Sequence, residues 1–274
     1  MNGTMLRRGA EVGRRWLSTS SLATRAALRV RDHLTGIIFH RLGHDTNPLT
    51  NGEMWLIDLL APDISLFVDV GANVGEWTTS VLEKAPSARG IVLDPSTEAY
   101  DELQRTLGSA RVEVLHAAAG DVAGRQTFYQ EPRAGRTSSL YAAAAAVERT
   151  AHEVDVVTLD QLIADRGVER IDLLKIDAEG HDLRILEGSH RLLTEQRVGV
   201  VQFEYNVAWQ YAGCRLKDAE HLLQRLGYRM LLLKNNGVYT FPYDIYGDFY
   251  HYANFIGVSR RLMRRISAEI RGEI

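Results

Sequence analysis

Residues 64–78 read ISLFVDVGANVGEWT, and how they fold decides the architecture of the whole chain. ISLFVDV (64–70) is a short, almost continuous apolar run, as expected of a strand covered on both faces. Gly71 and Gly75 then allow a sharp turn, and 76–85 reads as a helix ended before Pro86. The same alternation continues outward. RGIVLD (89–94) predicts a second strand, and 96–107 a helix opened by Ser96 and closed by Gly108. VEVLHAA (112–118), RIDLLKID (170–177) and VGVVQFEY (198–205) predict three more strands, with a helix near 181–194 between the last two. Strands alternating with helices of ten to fifteen residues imply βαβ units, hence an α/β domain whose parallel sheet has helices on both faces.

Two regions interrupt this rhythm. Residues 120–157 hold a short strand pair, QTFY and VDVV, around an insertion, RTSSLYAAAAAVERTAHE, that reads as an excursion over one sheet edge. Near the end, YRMLLLK, NNG and VYTF (228–241) form a hairpin signal with its turn at Asn235-Asn236-Gly237, and HYANFIGVS (251–259) is the last expected strand. The expected organisation is a basic helical extension over 1–50, one catalytic-type domain over 51–260 and a basic tail over 261–274.

Composition narrows the class. With 45% hydrophobic and 24% charged residues the chain can bury a large core, and its net charge of −3 gives no general attraction to nucleic acid. The single Cys214 rules out an intramolecular disulfide framework and fits a reducing, cytoplasmic setting. No apolar stretch approaches the ~20 residues of a membrane-spanning helix. Charge is uneven, however: eight arginines against Glu11 and Asp32 make residues 1–42 net +6, which leaves −9 on the remainder. This Arg- and Ser-rich start superficially resembles an organellar transit peptide. The preferred reading is an amphipathic helix that covers the domain or leans on an acidic partner, and peripheral contact with a membrane surface is the alternative. A homo-oligomer is compatible with all of this.

The glycine loop carries chemistry as well as geometry. A strand, a glycine turn and a helix N-terminus bind nucleotides at the carboxyl edge of a parallel sheet. Here the spacing is G-x-x-x-G with Asn73 in the middle, so the third glycine of the dinucleotide fingerprint is missing, and no GK[ST] follows. Asp69 lies just inside the strand end, and Asp94 closes the second strand, where an acid can take both ribose hydroxyls. A carboxylate at the loop without pyrophosphate glycines suits the cationic S-adenosylmethionine better than NAD.

KIDAEGHD (175–182) puts five titratable side chains directly after an apolar strand. A solvated turn would account for Glu179-Gly180, and Asp182 would complement the dipole of the following helix. Lys175 shares strand parity with Asp177, so a structural ion pair is its expected role.

These stretches together resemble the FkbM-type methyltransferases. The resemblance rests on VDVGANVGEWT, LDP (93–95), TLDQL (158–162), LLKIDAEGHDLRILEG (173–188) and VVQFEY (200–205), and runs from about 52 to 259. It implies a Rossmann-like class I methyltransferase fold: a mostly parallel, seven-stranded sheet with helices on both faces and a terminal antiparallel hairpin. It also implies S-adenosyl-L-methionine as cofactor and methylation of a hydroxyl on a natural product or glycan, such as a sugar or polyketide hydroxyl. Asp69, Gly71, Asn73 and Gly75 would line the methionine end of the cofactor and Asp94 its ribose. Asp121 would contact adenine or serve only as a turn residue. Asp94 is a departure, because the family more often has Glu there.

Methyl transfer to an alcohol needs alignment and a proton acceptor. Asp177 and Glu204 end neighbouring strands ~4.8 Å apart, and Asn206 follows two residues later. Asp177, Glu204 and the Asn206 amide oxygen would make a Mg²⁺ site. The metal-free alternative has His181 as base, oriented by Asp177 or Glu204. The acceptor would be walled by RTSSL (136–140), with Ser138, and by the aromatic run YTFPYDIYGDFYHY (239–252), with Tyr243 and Tyr246. Two other readings stand beside this one: a binding protein that keeps the cofactor fold without catalysis, and an NAD-dependent oxidoreductase.

Overall fold

The computed structural model describes residues 18–43, 45–109, 111–132, 138–142 and 149–274. The chain divides into two compact units, residues 1–42 and 43–274. In the first, Ser21–Leu42 form one helix (α1) with His40 and Arg41 in its last turn. Among the described residues no helix is long and apolar enough to cross a membrane. The expected boundaries at 50/51 and 260/261 therefore move. Residues from 43 onward belong to the larger unit, and the expected tail folds as a helix and a strand.

The larger unit begins with α2 (Glu53–Leu60) and β1 (Leu66–Val70), followed by α3 (Glu76–Lys84), β2 (Arg89–Leu93), α4 (Thr97–Leu107) and β3 (Val112–Leu115). Next come β4 (Ala118–Ala119), β5 (Gly124–Gln130), β6 (Thr150–Val157), α5 (Leu159–Asp165) and β7 (Ile171–Ile176). Helices α6 (Asp182–Glu187) and α7 (His190–Thr194) lead to β8 (Val198–Tyr205), α8 (Ala208–Tyr211) and α9 (Leu216–Arg225). The chain finishes with β9 (Arg229–Lys234), β10 (Gly237–Thr240), α10 (Tyr243–Tyr246), β11 (Ala253–Val258), α11 (Met263–Ser267) and β12 (Ile270–Glu273).

Nine strands form one mixed sheet in the order β12-β10-β9-β11-β8-β7-β1-β2-β3, rather than the expected seven. The seven from β3 to β9 are the expected set, with β11 antiparallel to both β8 and β9. The Asn-Asn-Gly hairpin adds β10 antiparallel to β9, and the C-terminal segment adds β12 parallel to β10. The excursion forms its own small sheet, β4-β6-β5. The strand expected over 112–118 is thus split, its last residues passing to this second sheet. The alanine run (142–146) lies, beyond its first residue, outside the described residues.

Burial follows the sequence pattern. Every residue of β1 and β7 is buried, as central parallel strands covered on both faces require. Phe67 of β1 packs edge-on to Trp77 of α3 at 6.0 Å between ring centres. Ser96 caps α4 by accepting from the Ala99 amide, and Thr158 caps α5 by accepting from Gln161. The helix expected over 181–194 breaks at Gly188-Ser189. A Cβ on Gly188 would lie 1.9 Å from the Gly120 carbonyl oxygen, so a close backbone crossing fixes a glycine there. Parallel pairing of β1 with β2 and β7, and of β7 with β8, brings 71–75, Asp94, 177–182 and 204–206 to one edge of the sheet.

Candidate active site

The loop after β1 is built by backbone geometry. Gly71 and Gly75 have φ of 80° and 84°, and Asn73 joins them in the left-handed region at 50°. The Gly71 and Ala72 amides both donate to the Leu93 carbonyl at the end of β2. A Cβ on Gly71 would fall 1.9 Å from the carbonyl oxygen of Asp177, so the loop lies directly against the end of β7. Asp94 is buried, and its two carboxylate oxygens accept from the backbone amides of Asn73 (2.8 Å) and Ser96 (2.9 Å). Burial pushes its carboxyl up to about 6.

Two cavities flank this loop. The inner one, about 670 Å³ including space open to solvent, is lined by Gly71, Asn73, Asp94 and the small residues Ala99 and Ala117 to Ala119. Phe128, Ser138, Leu140 and His181 complete its wall. The outer cavity, about 1970 Å³ on the same measure, is lined by Glu53, Trp77, Lys175, Glu204, Asn206 and Tyr252, with Asn47 to Leu49 at one side. Gly71, Asn73, Asp177 and Glu179 belong to both linings, so they form the wall where the cavities meet.

The wall is rich in carboxylates. One oxygen each from Asp177, Glu179 and Glu204 lie within 4.8 Å of one another. The Asn206 side-chain nitrogen donates to Glu179 (3.2 Å) and Glu204 (2.6 Å), while its oxygen accepts from the Ala208 amide at the start of α8. Burial, then repulsion from Asp177, raises Glu179 to about 8. Glu204 is raised well above the usual carboxylate range by burial and by Asp177 and Glu179. Asp177 itself pairs with the Lys175 ammonium at 2.8 Å.

Lys175 is the centre of a buried charge group. It stands opposite Asp69 in the β1–β7 register. Burial alone would lower its pKa, but Asp177, Asp69 and Glu53 outweigh that and hold the ammonium protonated. Asp69 is fully buried, with one oxygen accepting from the Thr78 hydroxyl at 2.6 Å and the other without a hydrogen-bond partner. Burial raises its pKa, opposed by Lys175 and Thr78. Asp69 thus ties α3 to Lys175 and lines neither cavity.

The remaining expected residues divide. His181 lines only the inner cavity, and its Nδ1 pairs with the Tyr141 hydroxyl at 3.1 Å rather than with Asp177 or Glu204. Burial lowers its imidazole to about 4. Ser138 stands on the inner, not the outer, side. Gly75 packs on Leu107 and Leu103 of α4 and lines neither cavity. Asp121 is also outside both linings, 3.7 Å from Arg184. The amide oxygen of Asn206 is turned to α8, so Glu179 replaces it among the oxygens that converge. Tyr243 donates to Asp248 and Tyr246 to the Ile274 carbonyl, and both are away from the cavities. Of the aromatic run only Tyr252 reaches the outer cavity, while Phe241 and Phe249 pack on Phe255 in the core.

Comparison with known proteins decides the family. Residues 69–230 match the model of the methyltransferase FkbM domain. The chain belongs to the FkbM methyltransferase family. Methyltransferase sdnD of Sordaria araneosa is 27% identical over 198 residues, covering 61% of this chain and 74% of that protein. The 31-O-demethyl-FK506 methyltransferase FkbM of Streptomyces tacrolimicus is 31% identical over 151 residues, 44% of this chain and 57% of that one. Another relative, the AMB antimetabolite synthetase AmbE of Pseudomonas aeruginosa, is matched over only 8% of its length. A methyltransferase FkbM from Methylobacillus flagellatus is a structural neighbour at 19% identity and a TM-score of 0.46, with 71% of this chain and 44% of that one covered.

Within the FkbM frame, sequence reasoning missed Glu53 and Trp77 as cavity residues, while Tyr252 is the member of the expected aromatic wall that lines the outer cavity. Of the two missed residues, Glu53 had no motif around it, and Trp77 lay within the glycine-loop motif without a role assigned to it.

Proposed function

We propose that this chain is an O-methyltransferase that moves the methyl group of S-adenosylmethionine to a hydroxyl of a sugar or polyketide-type small molecule. The observation that carries the reading is the wall of Gly71, Asn73, Asp177 and Glu179 shared by two cavities of different chemistry. The inner cavity fits a nucleoside: a buried carboxylate at the end of β2, a bed of alanines and a close-packed glycine loop. Asp94 would accept from both ribose hydroxyls, and His181 and Ser138 stand on the cofactor side. When bound, the cofactor supplies an electrophilic methyl on a sulfonium.

Asp177 is reached from both cavities and is the proposed proton acceptor, held in place by Lys175. Glu179, raised to about 8, retains its proton near neutral pH and can donate a hydrogen bond to an acceptor oxygen, and Glu204, raised well above the usual carboxylate range by burial and by Asp177, stands beside it. Relatives include a 2-O-methyltransferase, NoeI of Sinorhizobium fredii, which supports O-methylation for this chain, and a hexuronic acid methyltransferase, AglP of Haloferax volcanii, which supports a sugar-type acceptor.

Transfer of isotope-labelled methyl to a panel of hydroxyl compounds tests the reading. Asp177→Asn is expected to fold, bind adenosylhomocysteine and lose roughly 10²–10⁴-fold in turnover. A folded protein that binds the cofactor and labels nothing would favour the silent binding protein. Stabilisation by NAD but not by adenosylhomocysteine would favour the oxidoreductase. The convergence of Asp177, Glu179 and Glu204 oxygens also supports a second version in which a hard cation such as Mg²⁺ sits on these three. Activity of metal-stripped enzyme that chelator leaves unchanged would remove that version.

A further inference from the structure

No step of methyl transfer calls on the insertion between β5 and β6, yet its described residues are fastened to the turn after β7. The Ser139 hydroxyl donates to the Glu179 carbonyl at 2.8 Å, and the Tyr141 hydroxyl meets His181 Nδ1 at 3.1 Å. Ser139 is buried, and its backbone pairs with that of Tyr129 in both directions. His181 is therefore gripped from the small sheet as well as from its own strand end.

The other ring nitrogen of His181 is the unexplained group. The residue lines the inner cavity and is only 5% exposed, and its Nε2 has no hydrogen-bond partner among the described residues. Tyr141 decides which nitrogen carries the hydrogen. The Arg184 guanidinium, which can only donate, bonds to the Tyr141 hydroxyl. With that oxygen taken as acceptor, the hydroxyl places its own hydrogen by pointing it at Nδ1. The opposite arrangement would aim two donors at one oxygen and strand its hydrogen. Nδ1 is then the acceptor, and Nε2–H is a buried donor left unpaired by the protein. It stands beside Gly120, where a Cβ would come to 2.9 Å from it, at the end of the alanine bed that lines the inner cavity. We propose that His181 is a cofactor-binding residue whose Nε2–H donates to a ring nitrogen of adenine, and that Tyr141 is the positioning residue that fixes this tautomer. The ring nitrogens of adenine accept hydrogen bonds, so a fixed N–H suits them where a bare imidazole nitrogen would not.

The inference rests on the inner cavity being the cofactor seat. Adenosylhomocysteine and its 1-deaza, 3-deaza and 7-deaza forms, each with one ring nitrogen replaced by C–H, would be titrated by calorimetry into the unmodified protein, His181→Phe and Tyr141→Phe. One deaza form should bind about fivefold or more weaker than the parent, and that gap should close in His181→Phe. Side-chain nitrogen NMR should show His181 with Nε2 protonated and Nδ1 bare. Tyr141→Phe should mix the two tautomers and narrow the same gap, whereas a purely structural Tyr141 would leave both as they are. Should His181→Phe not fold, the tautomer and the response of the gap to Tyr141→Phe decide. Deaza forms that all bind like the parent, a gap that persists in His181→Phe, or hydrogen on Nδ1 in the unmodified protein overturns the inference. Failure of adenosylhomocysteine itself to bind overturns the proposed function instead.

Discussion

The two cavities on either side of the glycine loop share a wall and differ in how they are made. The inner one is backbone and small side chains around one buried carboxylate, and its shape follows from β1, β2 and the turn between strand and helix. The outer one is assembled from side chains of distant segments, 46–54, Trp77, Lys175, 204–207 and Tyr252. A generic cofactor seat needs the first kind of construction, since the same turn serves any nucleoside. A selective acceptor site needs the second, because charge and shape are set by individual side chains.

The sharpest way to break this comparison is at its hinge of charge. Lys175→Met leaves Asp69, Glu53 and Asp177 facing one another without a cation. Removing one partner of a buried ionic group costs about 3–5 kcal/mol. Denaturant unfolding should show a loss of that order, and an unchanged midpoint would mean the group is not ionic. Next comes the shared wall itself. Gly71→Ala places a methyl against the Asp177 carbonyl at a positive φ, with an expected cost of about 1–3 kcal/mol and loss of adenosylhomocysteine binding. A variant that binds normally would show that the loop is not the cofactor seat.

A smaller effect sharpens the inner side alone. With its carboxyl raised to about 6, Asp94 is ionised above that pH and protonated below it. The ionised form accepts ribose hydroxyls more strongly, so adenosylhomocysteine affinity should be level above pH 6 and weaken as pH falls through it. Calorimetry on Asp94→Asn should show weaker binding with that pH dependence removed. The smallest contrast separates two tyrosines. Tyr252→Phe should change the acceptor KM and leave cofactor affinity alone. Tyr246→Phe should leave kinetics unchanged, with a stability loss of about 0.5–1.5 kcal/mol for its hydrogen bond.

What the sequence made legible follows the same division. The apolar runs that became β1, β2, β7 and β8 read as buried parallel strands because burial on both faces leaves an uninterrupted apolar pattern. Asn73 and Asp94 were expected at the carboxyl edge because a turn at a strand end fixes their place, and both line the inner cavity. The strand split at 115/118 and the strand β12 did not read, since edge pairing depends on what lies beside the segment. Glu53 and Tyr252 are brought together by hydrogen bonds that each span 201 residues, Asn51 to Tyr252 and Asn254 to Glu53, and no local spacing reports that. KIDAEGHD was half legible. Lys175 pairs with Asp177 as strand parity suggested, but Glu179, left open between a solvated turn and a functional role, stands with Glu204, and His181 turns to the inner cavity.

The measurement that bears most directly on the account is a crystal structure of the protein with adenosylhomocysteine. The ribose is expected on Asp94, adenine over Ala117 to Ala119, and the sulfur facing the wall of Asp177 and Glu179 with the outer cavity open beyond it. Adenosylhomocysteine found in the outer cavity, or with its sulfur turned away from that wall, would contradict the division into cofactor seat and acceptor site.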